Sequence, residues 1–348
     1  MLVDRITERA ILISTNQVMK AITYSEYGPP EVLRIEDVPK PVCGNDEVLV
    51  RVRAAEATKA DCELRRFRFA VNWFWLPLRL ALGVRRPRQR VLGGYFAGEV
   101  AAVGKAVTGF SVGERVYGAT GLRLGTYAAY VALPARGPVA PMPATMDFAE
   151  AAAVPLGGLN ALHFLSRANI QPGDEVLVNG AGGSIGAHAV QLAKSSGARV
   201  TAIDHGRKEA FLRRLGADAF VDYRQTDFAA SGQAYDVILS MVAGAPYGRC
   251  ISALRPGGRY LIANPRLSDM LRTLITNRFT RRRAVVAFAP ETRAGLDALR
   301  ELIEQGKIGP IVDRVEPMEQ AAEAHRRVER EERMGAIVLA IEDRLDAG

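Results

Sequence analysis

The stretch Val176-Leu177-Val178-Asn179-Gly180-Ala181-Gly182-Gly183-Ser184-Ile185-Gly186, running on through Ala187 to Lys194, decides the fold. A short apolar run is followed at once by four glycines, and these by a segment with helical spacing. Glycine lets a backbone turn sharply and approach a ligand closely, and the helix that follows offers free N–H groups and a positive dipole end to a phosphate. A strand, a glycine turn and a helix in this order form the context that a dinucleotide pyrophosphate requires. Gly180, Gly182, Gly183, Ser184 and Ile185 are therefore the expected contacts. The next apolar run, Val200–Ile203, ends at Asp204, where a carboxylate can accept the ribose hydroxyls of NAD. Arg207 and Lys208 follow immediately, and cations there can hold the 2′-phosphate of NADP. The residues leave both cofactors open.

Outward from this turn, β and α segments alternate. Strands are expected at Glu175–Val178, Arg199–Ile203, Phe220–Asp222, Val237–Leu239, Tyr260–Ala263 and Ala284–Phe288. Helices are expected at Leu159–Arg167, Ser184–Ser196 and Arg207–Leu215, with another before Leu254. Short links between alternating elements predict a doubly wound parallel sheet over 146–290. Residues 20–145 read instead as short strands (Val48–Arg53, Glu99–Val103, Arg115–Tyr117, Tyr127–Leu133) punctuated by Gly, Pro and Asp, a small irregular sheet. After about 290 the pattern is mixed: helices at Thr292–Gln305 and Met318–Glu331, strands at Ile311–Val312 and Ile337–Ile341. The fold class is α/β, and the expected division is 1–145, 146–290 and 291–348. Residues 1–18 read as a loose extension before Met19-Lys20-Ala21.

The chain has 348 residues, 48% hydrophobic and 24% charged, which excludes disordered and fibrous classes. The formal charge of +8 favours anionic ligands without choosing among them. Three scattered cysteines (Cys43, Cys62, Cys250) exclude a disulfide framework and a four-cysteine zinc site. They suit a reducing, cytoplasmic compartment. No signal peptide and no membrane span is evident.

Several stretches together resemble the medium-chain dehydrogenase/reductase superfamily, in its zinc-independent quinone-oxidoreductase-like branch. They are MKAITYSEYGPPEVLRIEDVPKP, DEVLVRVRAAEATKAD, LGGYFAGEVAAVGKAVTGFSVGERVYG, GTYAAYVALP, AAAVPLGGLNALHFL, VQLAKSSGARV, LGADAFVDY, LRPGGRY and GKIGPIVDRVEPMEQAAEAH. The resemblance covers nearly all of the chain from Met19. It implies a GroES-like domain, completed by the C-terminal residues, around an inserted Rossmann domain, with the site between them. It also adds Asn160, Tyr223 and Val242 to the cofactor-binding residues, and it leans towards NADPH. Zinc-dependent members carry Cys where this chain has Thr58, and Gly-His-Glu where it has Gly93-Gly94-Tyr95. No zinc is expected. Without a Lewis acid, reduction of an electron-poor acceptor, a quinone or an α,β-unsaturated carbonyl, is the expected chemistry. Thr58 is expected to donate a hydrogen bond to the substrate oxygen, Lys59 to stabilise developing negative charge, and Tyr95 to supply a proton.

Residues 65–90 interleave aromatic and apolar side chains, among them Phe67, Phe69, Trp73, Phe74 and Trp75, with eight arginines. Three readings stay open: a lid over the substrate, ordinary helical core, or contact of 67–82 with an anionic lipid surface. A rival function, an NAD(P)H-binding protein that holds nucleic acid or membrane with little catalysis, rests on basic charge alone. The expectation is a homodimeric enzyme with a small-molecule substrate and no nucleic-acid partner.

Overall fold

The computed structural model describes residues 18–69, 75–230 and 232–342. Residues 1–17 of the expected extension, and Trp73 and Phe74 of the aromatic segment, lie outside the described residues.

One sheet is six-stranded and parallel throughout. Its strands, in chain order, are Glu175–Asn179, Arg199–Asp204, Ala219–Asp222, Tyr235–Ser240, Leu254–Ile262 and Arg283–Val286. Their spatial order is 3-2-1-4-5-6, which opens a crevice beside the first strand, at the point where the order reverses. Val176, Leu177 and Val178 are fully buried because helices cover both faces of the sheet.

A second, seven-stranded sheet is built on Glu47–Ala57. That strand pairs antiparallel with Tyr95–Val103, with Tyr130–Pro134 and with the C-terminal strand Ala336–Ala340. The chain thus leaves this sheet for the parallel one and returns to complete it. A small two-stranded sheet, Val18–Thr23 with Arg34–Pro39, flanks it.

The hydrophobic core does not stop at the boundary between sheets. Ala54, Ala97, Tyr117 and Val338 pack in the same cluster as Val176, Val178 and Leu239. The buried Tyr117 hydroxyl donates to the Leu296 carbonyl at 2.6 Å. A shared core of this kind sets the two sheets at a fixed angle and leaves a cleft between them.

Several elements differ from the sequence expectation, among them the strands Val18–Thr23 and Arg34–Pro39 and the helix Lys59–Arg66, which were not read. Residues 206–208 form a 3-10 turn ahead of the helix Glu209–Arg214, because the His205 side chain accepts from Arg207 N–H and tightens the entry. A helix Leu267–Phe279 stands where no element was read. Within the aromatic segment, Trp75–Leu82 is helical. Phe67 ends the preceding helix in a left-handed conformation (φ 50) and packs edge-on against Tyr27, Phe69 and Trp75, with the Arg79 guanidinium 4.2 Å from its ring. Among the described residues, no helix is long and apolar enough to cross a membrane.

Candidate active site

The glycine turn closes tightly on its own helix. Gly180 has φ +81, a conformation that strains any L side chain. A Cβ at Gly186 would lie 2.3 Å from the Gly180 carbonyl oxygen, so helix and turn meet backbone to backbone. Gly183 differs: an added Cβ would meet only the Arg333 guanidinium, at 3.7 Å. No side chain caps the helix Ser184–Ser195, so its first amides face open space next to a cation. This cradle fits the pyrophosphate of a nicotinamide dinucleotide.

A cleft of about 550 Å³ runs past the turn. Gly180, Gly183, Ser184, Ile185, Asp204, Lys208 and Val242 line it, and so does Lys59. Asp204 ends the second strand as expected, but its carboxylate is already engaged. It accepts from Gly182 N–H at 2.7 Å and His205 N–H at 2.8 Å, and it pairs with the buried Lys208 at 3.1 Å. Gly182 thus has its amide on Asp204 and its Cα against Lys208. Arg207 lies at the surface and donates to the Glu331 carbonyl. Tyr223 is exposed and stacks edge-on with His205. Asn160 is not among the lining residues; its amide donates to Leu156 O one helical turn back, and it is Leu156 that reaches the cleft.

A second cavity of about 580 Å³ adjoins the first, and Thr58 and Ala60 line both. Tyr95, Gly94, Leu122, Leu124, Ala289 and Glu291 are among its walls. The Tyr95 hydroxyl donates to Glu291 Oε1 at 2.7 Å. Burial, together with the Glu291 carboxylate, holds this phenol well above its ordinary range, so it keeps its proton at any physiological pH. Neither cavity is lined by cysteine or histidine, and among the described residues no cluster of metal-ligating side chains occurs.

Thr58 caps the helix Lys59–Arg66. Its hydroxyl accepts from Asp61 N–H at 3.1 Å and donates to Asp61 Oδ2 at 2.6 Å, in a reciprocal capping box. Its one proton is therefore directed at Asp61, which lines the second cavity with it. Thr58, the expected donor to a substrate oxygen, thus caps this helix and lines both cavities. Lys59 Nζ, expected to stabilise negative charge, pairs with Glu331 at 2.7 Å across the cleft mouth.

Asp61 anchors a buried relay behind these residues. It accepts from Thr58 N–H, from Gly93 N–H at 3.0 Å, and from the Tyr127 hydroxyl at 3.3 Å. His325 contacts Tyr127 through Nε2 at 3.1 Å and Arg65 through Nδ1 at 2.9 Å. Because the guanidinium can only donate, Nδ1 accepts and the proton sits on Nε2. Burial and then Arg65 push the His325 pKa down to about 3, so it stays neutral. The relay fixes the Gly93-Gly94-Tyr95 wall relative to the Thr58 cap.

Three residues escaped sequence reasoning. Glu291 and Arg333 carried no motif. Their roles arise only because chain segments far apart in sequence meet at Tyr95 and Gly183. Glu56 is the third. It is fully buried, and neither carboxylate oxygen has a hydrogen-bond partner. The Ser184 hydroxyl and Arg333 lie near enough to favour its charged form, but burial outweighs both and raises its pKa to about 8. An acidic residue in an otherwise apolar strand end, Arg53-Ala54-Ala55-Glu56-Ala57, was the available signal.

Comparison with known proteins agrees with this geometry. Residues 44–144 match the alcohol dehydrogenase GroES-like domain, and residues 215–339 match the family described as zinc-binding dehydrogenase. The chain is 29% identical to the quinone oxidoreductase of Sus scrofa, over 89% of this chain and 93% of that one. It is 28% identical to the 2-methylene-furan-3-one reductase of Solanum lycopersicum, over 88% and 74%. It also matches the spectinabilin polyketide synthase system protein NorB of Streptomyces orinoci at 32% identity, although it spans only 14% of that protein's length. The structure of the quinone oxidoreductase from Coxiella burnetii superposes with a TM-score of 0.83 at 28% identity, covering 93% of this chain and all of the other. The strand order, the glycine turn in its cleft and these matches lead to one assignment: the chain belongs to the medium-chain dehydrogenase/reductase superfamily, an oxidoreductase family, in its quinone-oxidoreductase-like branch.

Proposed function

We propose that the chain is an NAD(P)H-dependent reductase of quinones or α,β-unsaturated carbonyls that works without a catalytic metal. The observation that carries this reading is the junction of the two cavities at Thr58 and Ala60: a cleft shaped for a dinucleotide opens onto a second cavity where a protonated phenol waits. The cofactor, when bound, supplies the hydride. Gly183, Ser184 and the first amides of the helix Ser184–Ser195 hold its pyrophosphate, with Arg333 balancing the charge. Arg207 and Lys208 support a preference for NADPH, since Lys208 already offsets the Asp204 carboxylate that would repel a 2′-phosphate. Leu122, Leu124 and Ala289 give the second cavity an apolar lining that accepts a flat conjugated acceptor.

Glu291 holds the phenol in place, and Tyr95 serves as the proton donor once its hydroxyl turns from Glu291 to the reduced acceptor, a proton from solvent then restoring the phenol. A phenol suits this work because its proton is retained until an oxyanion of comparable basicity develops beside it. Conjugation in a quinone or enone spreads the developing charge, which makes a hydrogen-bond donor sufficient where an isolated ketone would call for a Lewis acid. Thr58 and Asp61 act as positioning residues for this wall. We propose the domain division at about residues 145 and 290 as part of this reading. The test is steady-state oxidation of NADPH and NADH against a panel of quinones, enones and simple ketones, with and without prior chelation. Turnover confined to simple ketones, or abolished by chelation and restored by zinc, overturns the reading.

A further inference from the structure

The helix Leu267–Phe279 is built inside out. An ordinary surface helix turns its apolar stripe to the core and its polar face to water. Here the buried positions are Asp269, Thr273 and Thr276. The exposed positions are Leu267, Leu271, Leu274, Ile275 and Phe279, at 57% to 77% exposure. The spacing of these five places them on one outward stripe. The inward polar face is satisfied where it sits. The Tyr247 hydroxyl donates to Thr276 Oγ at 2.8 Å, the Thr273 hydroxyl donates to Asp269 O at 2.8 Å, and the Asp269 carboxylate accepts from Arg266 N–H at 3.0 Å. The Tyr247–Thr276 bond, with the pair that Asn277 makes with the Ala284 backbone, ties the helix to its neighbours, and the apolar stripe is presented outward.

Charge says what covers it. Between residues 266 and 283 the sequence carries Arg266, Arg272, Arg278, Arg281, Arg282 and Arg283 against the single acid Asp269. Five of these arginines are exposed and Arg282 is half-buried, although Arg272 leans back to Asp269 and the Tyr247 ring. A second copy docking through the same face about a two-fold axis would set this cluster against itself. Phosphates of a nucleic acid would meet the arginines but leave the leucines in water. A bilayer with anionic headgroups satisfies both sets at once: the stripe enters the acyl boundary and the guanidiniums stay with the phosphates. We infer that the outward face of Leu267–Phe279 is a docking surface for an anionic lipid bilayer.

The surface adjoins the site. Pro265, one residue before the helix cap, lines the dinucleotide cleft, as does Phe288 just beyond the following strand. Phe288 is itself 70% exposed. Docking would therefore bring the cleft mouth to the membrane surface. The inference stands on the helix alone and does not depend on the reductase assignment.

The experiment is co-sedimentation of the full chain with vesicles of phosphatidylglycerol and phosphatidylcholine, and with phosphatidylcholine vesicles alone. Leu271→Asp/Ile275→Asp and Arg281→Gln/Arg283→Gln are compared with the parent. All four positions are exposed, so folding is checked by circular dichroism and little change is expected. The parent should bind anionic vesicles and largely ignore neutral ones. The arginine pair should weaken binding by roughly 25-fold, about fivefold per guanidinium. The aspartate pair should weaken it by about tenfold or more. Equal sedimentation of parent and variants, or none with anionic vesicles, overturns the proposal. Light scattering on the same samples gives a further overturning result: if the aspartate pair converts a dimer to monomers, a second copy covers this face.

Discussion

Glu56 offers a measurement that reads the tertiary structure directly. Its carboxyl is fully buried with no hydrogen-bond partner, two residues before the Thr58 cap and opposite Val338 of the returning strand. Burial raises its pKa from the ordinary 4.5 to about 8, with Arg333 and Ser184 only partly opposing. The folded protein therefore binds a proton that the unfolded chain releases between these two values. Stability must fall as pH rises across that window, because the unfolded state gains by ionising and the folded state does not. At ~1.4 kcal/mol per pH unit the full effect approaches 5 kcal/mol, and about 3 kcal/mol of it falls between about pH 6 and about pH 8. Glu56→Gln keeps the shape of the side chain and removes the titration. The thermal midpoint of the parent should drop relative to the variant by roughly 5 to 10 °C over that interval, at about 2 to 4 °C per kcal/mol. At about pH 5 the two should differ little. Midpoint profiles that run parallel from about pH 5 to about pH 9 would refute the reasoning, since they would mean that the carboxyl ionises freely in the folded state.

Other outcomes follow from the same geometry. Gly183→Val should weaken dinucleotide binding by about tenfold or more, ~1.4 kcal/mol, in a calorimetric titration. It should leave the thermal midpoint nearly unchanged, because the new Cβ meets only Arg333. Tyr95→Phe should lower kcat by about a hundredfold or more while dinucleotide affinity holds, as loss of a general acid requires; an unchanged kcat removes Tyr95 from the chemistry. Arg207→Ala should raise the Kd for NADPH and spare NADH, and an unaltered ratio would mean that the 2′ position lies elsewhere. Exhaustive chelation should leave turnover intact, with metal content checked by elemental analysis.

Much of this site was legible in the sequence because it is local. The glycine turn, the strand before it and the helix after it are contiguous, and backbone sterics with hydrophobic period are enough to read them. Asp204 and the cations after it lie at a fixed distance along the next strand, and the missing zinc ligands at Thr58 and Gly93-Gly94-Tyr95 could be read off one residue at a time. The helix Leu267–Phe279 was not legible. Its apolar residues carry helical spacing, but its solvent face and its core face are exchanged, and nothing in a one-dimensional pattern says which face meets the fold.

The sequence by itself determined the alternation of elements, the parallel sheet they form and the place along the chain where a pyrophosphate can rest, because each depends on neighbours within a few residues. Only the tertiary structure decided what the reactive side chains face. It turned the Thr58 proton onto Asp61 and set Glu291 against Tyr95 across nearly two hundred residues. It also brought Arg333 to Gly183 and shut Glu56 away from water. The physical reason is that hydrogen-bond direction, desolvation and charge pairing depend on distances through space, and those are set when two sheets share one core.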